Sequence, residues 1–529
     1  MKLLLNGDEA VAAAAFDAGV ALGTGYPGTP STEIVETFEQ YGGKSQWAPN
    51  EKVALEVGLG VAYAGGRSIV TMKHVGLNVA ADPLLTGAYT DVNGALIVVS
   101  ADDPGMASSQ NEQDNRRYAV AAAVPMFEPS DSQEAYDFTL LAIEVSERWR
   151  VPVILRMTTR VCHSKSIIER RAEPQAPKPI DYAKNAPVRA MVPAYARVAH
   201  RNLREKLRQI AQWCEETGPT KCIDGSRTLG IITSGISYQH VRDAAPEASV
   251  LKLGLTHPLP MDSIRKFAAS VDRCLVVEEG DPYLVEQIRN AGIQVEDKLE
   301  NFRYGELNID RVRKLIARDN SPEPAPVTGK PPALCPGCPH RTAFEVLRDL
   351  HCIVANDIGC YGLGVLPPFE AVDMSVCMGS AIGVGLGMRH VLPAEQAKRV
   401  VSVLGDGTFM HTGINGVIEM LFNPPETGHV VLILDNGITA MTGMQEHPGT
   451  GRKLDHSGTN KIVFENVLTA MGVKNVHVID AVARRAEFTK LLQESLEKPE
   501  LTVIIARREC LLAVQSIRGW EKANAEACN

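Results

Sequence analysis

Asp406 and Asn436 are the residues whose surroundings define a chemistry most narrowly. Gly405-Asp406-Gly407 closes one apolar run, and Asp435-Asn436 closes the next, 30 residues later. Residues 400–404 and 430–434 read as buried parallel strands, with 410–422 as the helix crossing between them. Ligands of open parallel sheets sit beyond the carboxyl ends of the strands, which puts Asp406 and Asn436 side by side on one edge. A carboxylate, an amide oxygen and a nearby carbonyl suit Mg²⁺, which takes few protein oxygens and keeps places for phosphate oxygens. Gly405 and Gly407 let the backbone approach a ligand closely. A chance turn between two such strands is the competing reading.

The cysteines are the second feature. There are 11, an odd number at scattered spacings, which argues against disulfides in a chain that reads as cytosolic. Cys335 and Cys338, in LCPGCPHR, have the spacing of metal ligands. A zinc ribbon would normally add a second close pair, and the sequence has none. Isolated cysteines occur instead in Asp357-Ile358-Gly359-Cys360-Tyr361-Gly362 and in Arg508-Glu509-Cys510. Iron–sulfur clusters take four thiolates and tolerate long gaps between them. On spacing alone a cluster, zinc and, for Cys510, plain burial behind a strand all stay open. Cys162, Cys214, Cys222, Cys274, Cys352, Cys377 and Cys528 show no ligand pattern and read as structural.

These residues need a scaffold, and the sequence describes one. Short β-branched runs alternate with helical stretches, at 68–72, 95–100, 151–156, 229–233, 273–278, 400–404, 430–434 and 501–506. That rhythm predicts an α/β protein of parallel sheets covered on both faces. It breaks at 170–192, which carries scattered prolines and charge, and at 320–333, the proline-rich NSPEPAPVTGKPPA. An amphipathic helix is expected over 195–216. Three doubly wound domains follow from this, at residues 1–190, 191–320 and 334–529, with 321–333 as the linker. The 529 residues, 45% apolar and 5% aromatic with a net charge of −9, argue against nucleic acid or an anionic membrane as main partner. No window approaches the eighteen or so apolar residues of a membrane span. Asn6-Gly7-Asp8-Glu9 interrupts the apolar start too early for a signal peptide, so a cytoplasmic protein is expected.

In the first of these domains, residues 24–34 read TGYPGTPSTEI: an apolar strand at 20–22 runs into a Gly/Pro turn, and Ser31-Thr32-Glu33 open a helix. The free N–H groups of that helix start favour an anion, though an ordinary strand–turn–helix corner looks the same. Residues 53, 55, 57, 59 and 61 alternate as a strand would, yet the length and the interleaved Ala54, Gly58 and Gly60 favour a buried helix with Glu51 at its mouth. A lone glutamate there is usually an interaction with the helix dipole. Residues 108–117 are a polar stretch after a strand, a surface loop on the plain reading.

The strings GYPGTPSTE, NEKVALE, TMKHVGLNVAADPL, LCPGCPHR, GDGTFMHTGINGVIEM, DNGITAMTG and RRECLL resemble the thiamine diphosphate (TPP)-dependent 2-oxoacid:ferredoxin oxidoreductases, and within them the indolepyruvate-type alpha subunits. The resemblance covers nearly the whole chain. It implies a TPP pyrimidine-binding domain at 1–190, a transketolase C-terminal-like domain at 191–320 and a TPP diphosphate-binding domain at 334–529. It makes Glu51 the carboxylate that activates the cofactor's aminopyrimidine, places Thr29 beside the substrate, and gives Arg116, with Arg117 next, the substrate carboxylate. Mg²⁺ would be held by Asp406, Asn436 and the Ile438 carbonyl, with Gly379 and Ser380 forming a close corner against the cofactor. His340, His411 and His447 are candidates to line the site, with an ordinary hydrogen-bonded histidine the equal alternative for each. Cys335, Cys338, Cys360 and Cys510 would hold one 4Fe–4S cluster. The implied reaction is oxidative decarboxylation of a 2-oxoacid, an arylpyruvate such as indolepyruvate, to an acyl-coenzyme A. A beta subunit and ferredoxin, or another iron–sulfur acceptor subunit, are the implied partners in a hetero-oligomer. Members often continue into a ferredoxin-like domain; here the sequence ends at Asn529, so an outside acceptor is expected. The alternatives are a non-redox TPP-dependent 2-oxoacid decarboxylase, which needs no cluster thiolates, and a non-catalytic electron-transfer or scaffold subunit.

Overall fold

Buried on both faces, the β-branched runs at Ser68–Lys73 and Leu96–Asp102 pair with each other in parallel, as a sheet sandwiched between helices requires. A computed structural model describes residues 1–171, 173–180, 182–324 and 332–524; Cys528 and most of the expected linker at 321–333 lie outside these. The chain forms two compact units, Met1–Pro324 and Ala325–Asn529. Among the described residues no helix is long and apolar enough to cross a membrane.

The first unit holds a seven-stranded sheet in the order Leu255–His257, Met126–Phe127, Val153–Thr158, Leu96–Asp102, Ser68–Lys73, Leu22–Gly25, Ser45–Trp47. All neighbours are parallel except Leu255–His257, which runs antiparallel to Met126–Phe127. A four-stranded sheet follows in the order Cys274–Val277, Ser226–Ser234, Ala248–Leu253, Thr220–Ile223, with only the last strand antiparallel. Helix Pro193–Thr217 buries Leu203, Leu207 and Ile210 on one face, as its periodicity predicts. The strand expected at 20–22 lies instead at Leu22–Gly25. Its glycines are imposed by neighbours: a Cβ at Gly25 would fall 2.6 Å from the Thr71 carbonyl oxygen, and one at Gly23 2.9 Å from the Phe38 ring.

The second unit is one six-stranded, all-parallel sheet, in the order Met374–Ser375, Ile353–Asn356, Val400–Gly405, His429–Asp435, Leu501–Arg507, Asn475–Ile479. The crossover helix expected at 410–422 begins earlier. One helical turn starts at Asp406 itself, a wider π-type turn spans Phe409–Gly413, and a regular helix runs Ile414–Phe422. Such π turns concentrate at functional sites.

Arg116 is buried in the first unit and bonded to the protein's own acids. It starts helix Arg116–Ala122, where a cation is disfavoured by the dipole, and is only 1% exposed. Its guanidinium donates to both Asp114 oxygens (2.8 and 2.6 Å), to Glu278 (2.6 Å) and to the Glu279 carbonyl (3.0 Å), and it stacks over the Tyr283 ring. Arg156, 2.7 Å from Asp102, joins the same cluster through Glu128 at 3.4 Å. Burial disfavours charge on Asp114, but Arg116 more than offsets it and holds the carboxyl at about 2. The donors expected to hold a substrate carboxylate are engaged here by the protein's own acids. Arg117 faces outward, half exposed and 3.1 Å from Glu286. Substituting Arg116→Ala is expected to cost about 3–5 kcal/mol of unfolding free energy, because it strands buried carboxylates. Denaturant unfolding beside substrate kinetics checks this; a raised KM with stability intact would restore the substrate role.

Candidate active site

Gly25 lies opposite both Trp47 and Thr71 in the parallel register, so the segments leaving those three strands emerge on one edge of the first sheet. They carry Thr29, Glu51 and Gly76. Glu51 is the first residue of helix Glu51–Ala64, whose start is capped by Asn50, its side-chain oxygen accepting the Val53 N–H at 2.9 Å. The Glu51 side chain is 6% exposed and packs directly on Gly76. A Cβ at residue 76 would lie 2.5 Å from its Oε1 and 2.6 Å from its Cγ. Only glycine leaves that carboxylate its place, which explains the VGL of the TMKHVGLN string. Thr29 sits half-buried in the turn before helix Thr32–Gln40. Ser31 stands at the N-cap of that helix but makes no capping bond; its hydroxyl donates back to the Gly28 carbonyl at 3.0 Å. The Gly28 N–H meets the Thr32 hydroxyl at 3.0 Å.

In the second unit, Gly405 pairs with Leu434, so Asp406 and Asn436 leave adjacent strands at the same height. Asp406 is 4% exposed. Its Oδ2 accepts the N–H groups of Gly437 (2.8 Å) and Asn436 (3.2 Å), its Oδ1 that of Gly407 (2.8 Å), and His447 Nε2 stands 3.2 Å away. Burial opposes the charge, but His447 and these N–H groups hold the carboxyl below the usual range. The Asn436 amide oxygen accepts the Ile438 N–H at 3.1 Å, and its Nδ2 donates to His340 Nε2 at 3.3 Å. Burial lowers His340 to about 4, so the imidazole is neutral and can accept that proton. The carboxylate of Asp406 and the amide oxygen of Asn436 form a hard-oxygen pair suited to Mg²⁺, with the Ile438 segment folded against them.

Gly379 takes φ +87°, and a Cβ there would lie 1.7 Å from the Thr412 hydroxyl, so this corner also requires glycine. The residue that orders it is Asp357, which sequence reading passed over as a neighbour of Cys360. Its carboxylate gathers the N–H groups of Gly379 (2.7 Å), Ile358 (2.8 Å) and Ala381 (3.1 Å). Burial nonetheless raises it to about 6. The Ser380 hydroxyl donates to the Cys377 carbonyl at 2.7 Å and so closes its own turn. His411 is buried one residue before Thr412.

The four cysteines singled out by sequence come together. The Cys360 thiol is pushed up to about 11, first by burial and then by the thiols of Cys338, Cys510 and Cys335. Burial likewise raises Cys338, with Cys335 and Cys510 adding to it. Cys335 is exposed and the other three are half-buried. Gly337, at φ +77°, turns the chain between the first two, and the Cys510 N–H bonds the Asn436 carbonyl at 3.0 Å. Four thiols brought near one another from three separated segments fit a four-thiolate cluster.

Comparison with known proteins accords with this geometry. Residues 13–210 match the model for pyruvate flavodoxin/ferredoxin oxidoreductase, thiamine diphosphate-binding, and residues 357–506 that for the C-terminal TPP-binding domain of thiamine pyrophosphate enzymes. The chain is 36% identical, over 97% of its length and 87% of the relative's, to indolepyruvate oxidoreductase subunit IorA of Archaeoglobus fulgidus. It is 37% identical, over 100% of its length and 90% of the relative's, to the subunit of that name from Methanothermobacter thermautotrophicus. A 2-oxoglutarate:ferredoxin oxidoreductase from Magnetococcus marinus, solved with 2-oxoglutarate, coenzyme A and succinyl-CoA, shares the fold (TM-score 0.50, 16% identity, 60% of this chain and 65% of that one). With both TPP-binding models matched and full-length relatives at this identity, the chain belongs to the indolepyruvate oxidoreductase IorA family of TPP enzymes.

Proposed function

We propose that this chain is the catalytic subunit of a 2-oxoacid:ferredoxin oxidoreductase acting on arylpyruvates such as indolepyruvate. The observation that carries the redox reading is the convergence of Cys335, Cys338, Cys360 and Cys510, with Cys510 bonded through its N–H to Asn436. A non-redox decarboxylase has no use for four such thiols. In this reading residues 1–190 hold the aminopyrimidine, 191–320 form the transketolase C-terminal-like domain, and 334–529 hold the diphosphate and a 4Fe–4S cluster.

Bound TPP supplies the carbanion chemistry that breaks the bond between the carboxylate and keto carbons. The chain's own residues do the rest. Glu51, held by Gly76 and the Asn50 cap, exchanges a proton with the aminopyrimidine. Asp406, Asn436 and the Ile438 carbonyl would hold Mg²⁺, which would neutralise diphosphate charge, while Gly379 and Gly407 keep the approach open. Thr29 contacts the substrate. The net reaction converts a 2-oxoacid and coenzyme A into an acyl thioester and CO₂, releasing one proton and an electron pair. The thiolates of the four cysteines would hold a 4Fe–4S cluster, which would supply one-electron chemistry, and ferredoxin or another iron–sulfur subunit is the acceptor in this reading. A beta subunit completes the enzyme in this reading, and the cytoplasm is its expected setting.

Anaerobically purified protein is expected to carry about four irons per chain and to show an electron paramagnetic resonance signal on addition of arylpyruvate and coenzyme A. Cys360→Ser should lose most of both; an iron-free wild type that still decarboxylates would establish the non-redox enzyme. Glu51→Gln is expected to lower turnover about 10²–10⁴-fold with iron content unchanged, and full turnover would remove the carboxylate from the mechanism. His340→Ala should weaken Mg²⁺ retention about 10–100-fold. His340→Gln, whose amide oxygen still accepts from Asn436, should recover much of it. Equal Mg²⁺ affinity in all three proteins would show that Asn436 needs no such support.

A further inference from the structure

The proposed reaction makes no use of Asp8, Glu33 or His163, three side chains that converge within the first unit. Asp8 lies in the first turn of helix Gly7–Asp17 and Glu33 in that of helix Thr32–Gln40, while His163 closes helix Thr159–His163. One carboxylate oxygen of each acid and one imidazole nitrogen lie within 4.8 Å of one another. Asp8 is 0% exposed, and neither of its carboxylate oxygens has a hydrogen-bond partner. Glu33 Oε2 is buried and equally unpartnered. Two bare carboxylates cannot share a buried place without a counter-charge or a proton between them. Burial above all, opposed by the Cys162 thiol and reinforced by Glu33, drives the Asp8 carboxyl well above its usual range.

Two further observations favour a cation over a shared proton. The third donor is an imidazole, which a proton shared by two acids would not require, and His163 is exposed, so an ion has a way in. The supporting backbone is also tight: a Cβ at Gly7 would lie 2.3 Å from the Val161 carbonyl oxygen, which sets the start of the Asp8 helix directly against the 159–163 turn. We propose that Asp8, Glu33 and His163 bind a zinc-class divalent cation that fastens these helix ends together. Two oxygens and a nitrogen match the ligands zinc accepts.

The test uses the full chain, handled anaerobically, equilibrated with Zn²⁺ and freed of excess metal before zinc is counted by mass spectrometry. The cluster thiols also take up zinc, so the decisive quantity is the difference between wild type and variants. His163→Ala and Asp8→Asn should each bind about one zinc fewer, and Zn²⁺ should raise the unfolding temperature of wild type and of Cys335→Ser but not of these two. His163 is exposed, so its substitution remains informative if Asp8→Asn fails to fold. Equal zinc content and equal thermal response in wild type and His163→Ala would overturn the site and leave Asp8 and Glu33 sharing a proton.

Discussion

The Asp406 carboxylate accepts the backbone N–H groups of Asn436 and Gly437, and the working edge of the second unit is arranged around that attachment. Charge-assisted bonds of this kind are worth about 1.5–3 kcal/mol each, and here they join the turns after two neighbouring strands. With the 436–438 turn fixed to Asp406, Asn436 becomes a hub. Its side chain is bonded by His340, two residues beyond Cys338, and its carbonyl by the N–H of Cys510. The loops that carry the thiols are thereby indexed to Asn436, the residue proposed to serve Mg²⁺. A shift of the 436–438 turn would disturb the oxygen ligands and two cysteine segments together.

The first unit solves a different problem, the burial of charge, in three ways. At Glu51 the carboxylate is given room by a glycine and begins a well-capped helix, so both its volume and its negative charge are accommodated. At Arg116 and Arg156 charge is buried deep but matched by Asp102, Asp114, Glu128 and Glu278. That network ties the 116–122 helix to the turn after strand Cys274–Val277, and its value is in holding segments distant in sequence to one geometry. At Asp8 and Glu33 burial is matched by no cationic side chain, which is why that place calls for something further.

What the sequence disclosed follows from the range of the forces involved. The strand-end positions of Asp406 and Asn436, and the helix at Glu51, depend on local periodicity and turn residues, and these were legible. The convergence of cysteines on three segments was legible only through a resemblance, since no local rule joins Cys338 to Cys510. Arg116 shows the limit most clearly. Its partner Glu278 lies 162 residues away, and nothing near either residue announces the pair. The strand at Leu22–Gly25 was displaced from expectation for a similar reason, because its glycines answer to Phe38 and Thr71 and not to their own neighbours. Asp357 was missed because carboxylates that collect backbone N–H groups have no spacing signature; only the fold reveals which amides point at them.

The distribution of burial among the four thiols gives the second unit a direction. Cys335 is exposed, whereas Cys338 and Cys360 pack on the core that includes Leu334, Phe344 and Tyr361. Cys510 packs beside Ile438 and Ile517, against the segment expected to face Mg²⁺. A group held by all four would touch solvent at one end and the cofactor edge at the other. Burial, and then the neighbouring thiols, raise Cys338 and Cys360 toward the neutral form, so these two become thiolates most readily when a cation is present to offset the repulsion. Thiols that run from the solvent-exposed Cys335 to Cys510, whose N–H bonds Asn436, would suit the outward passage of electrons in the proposed reaction.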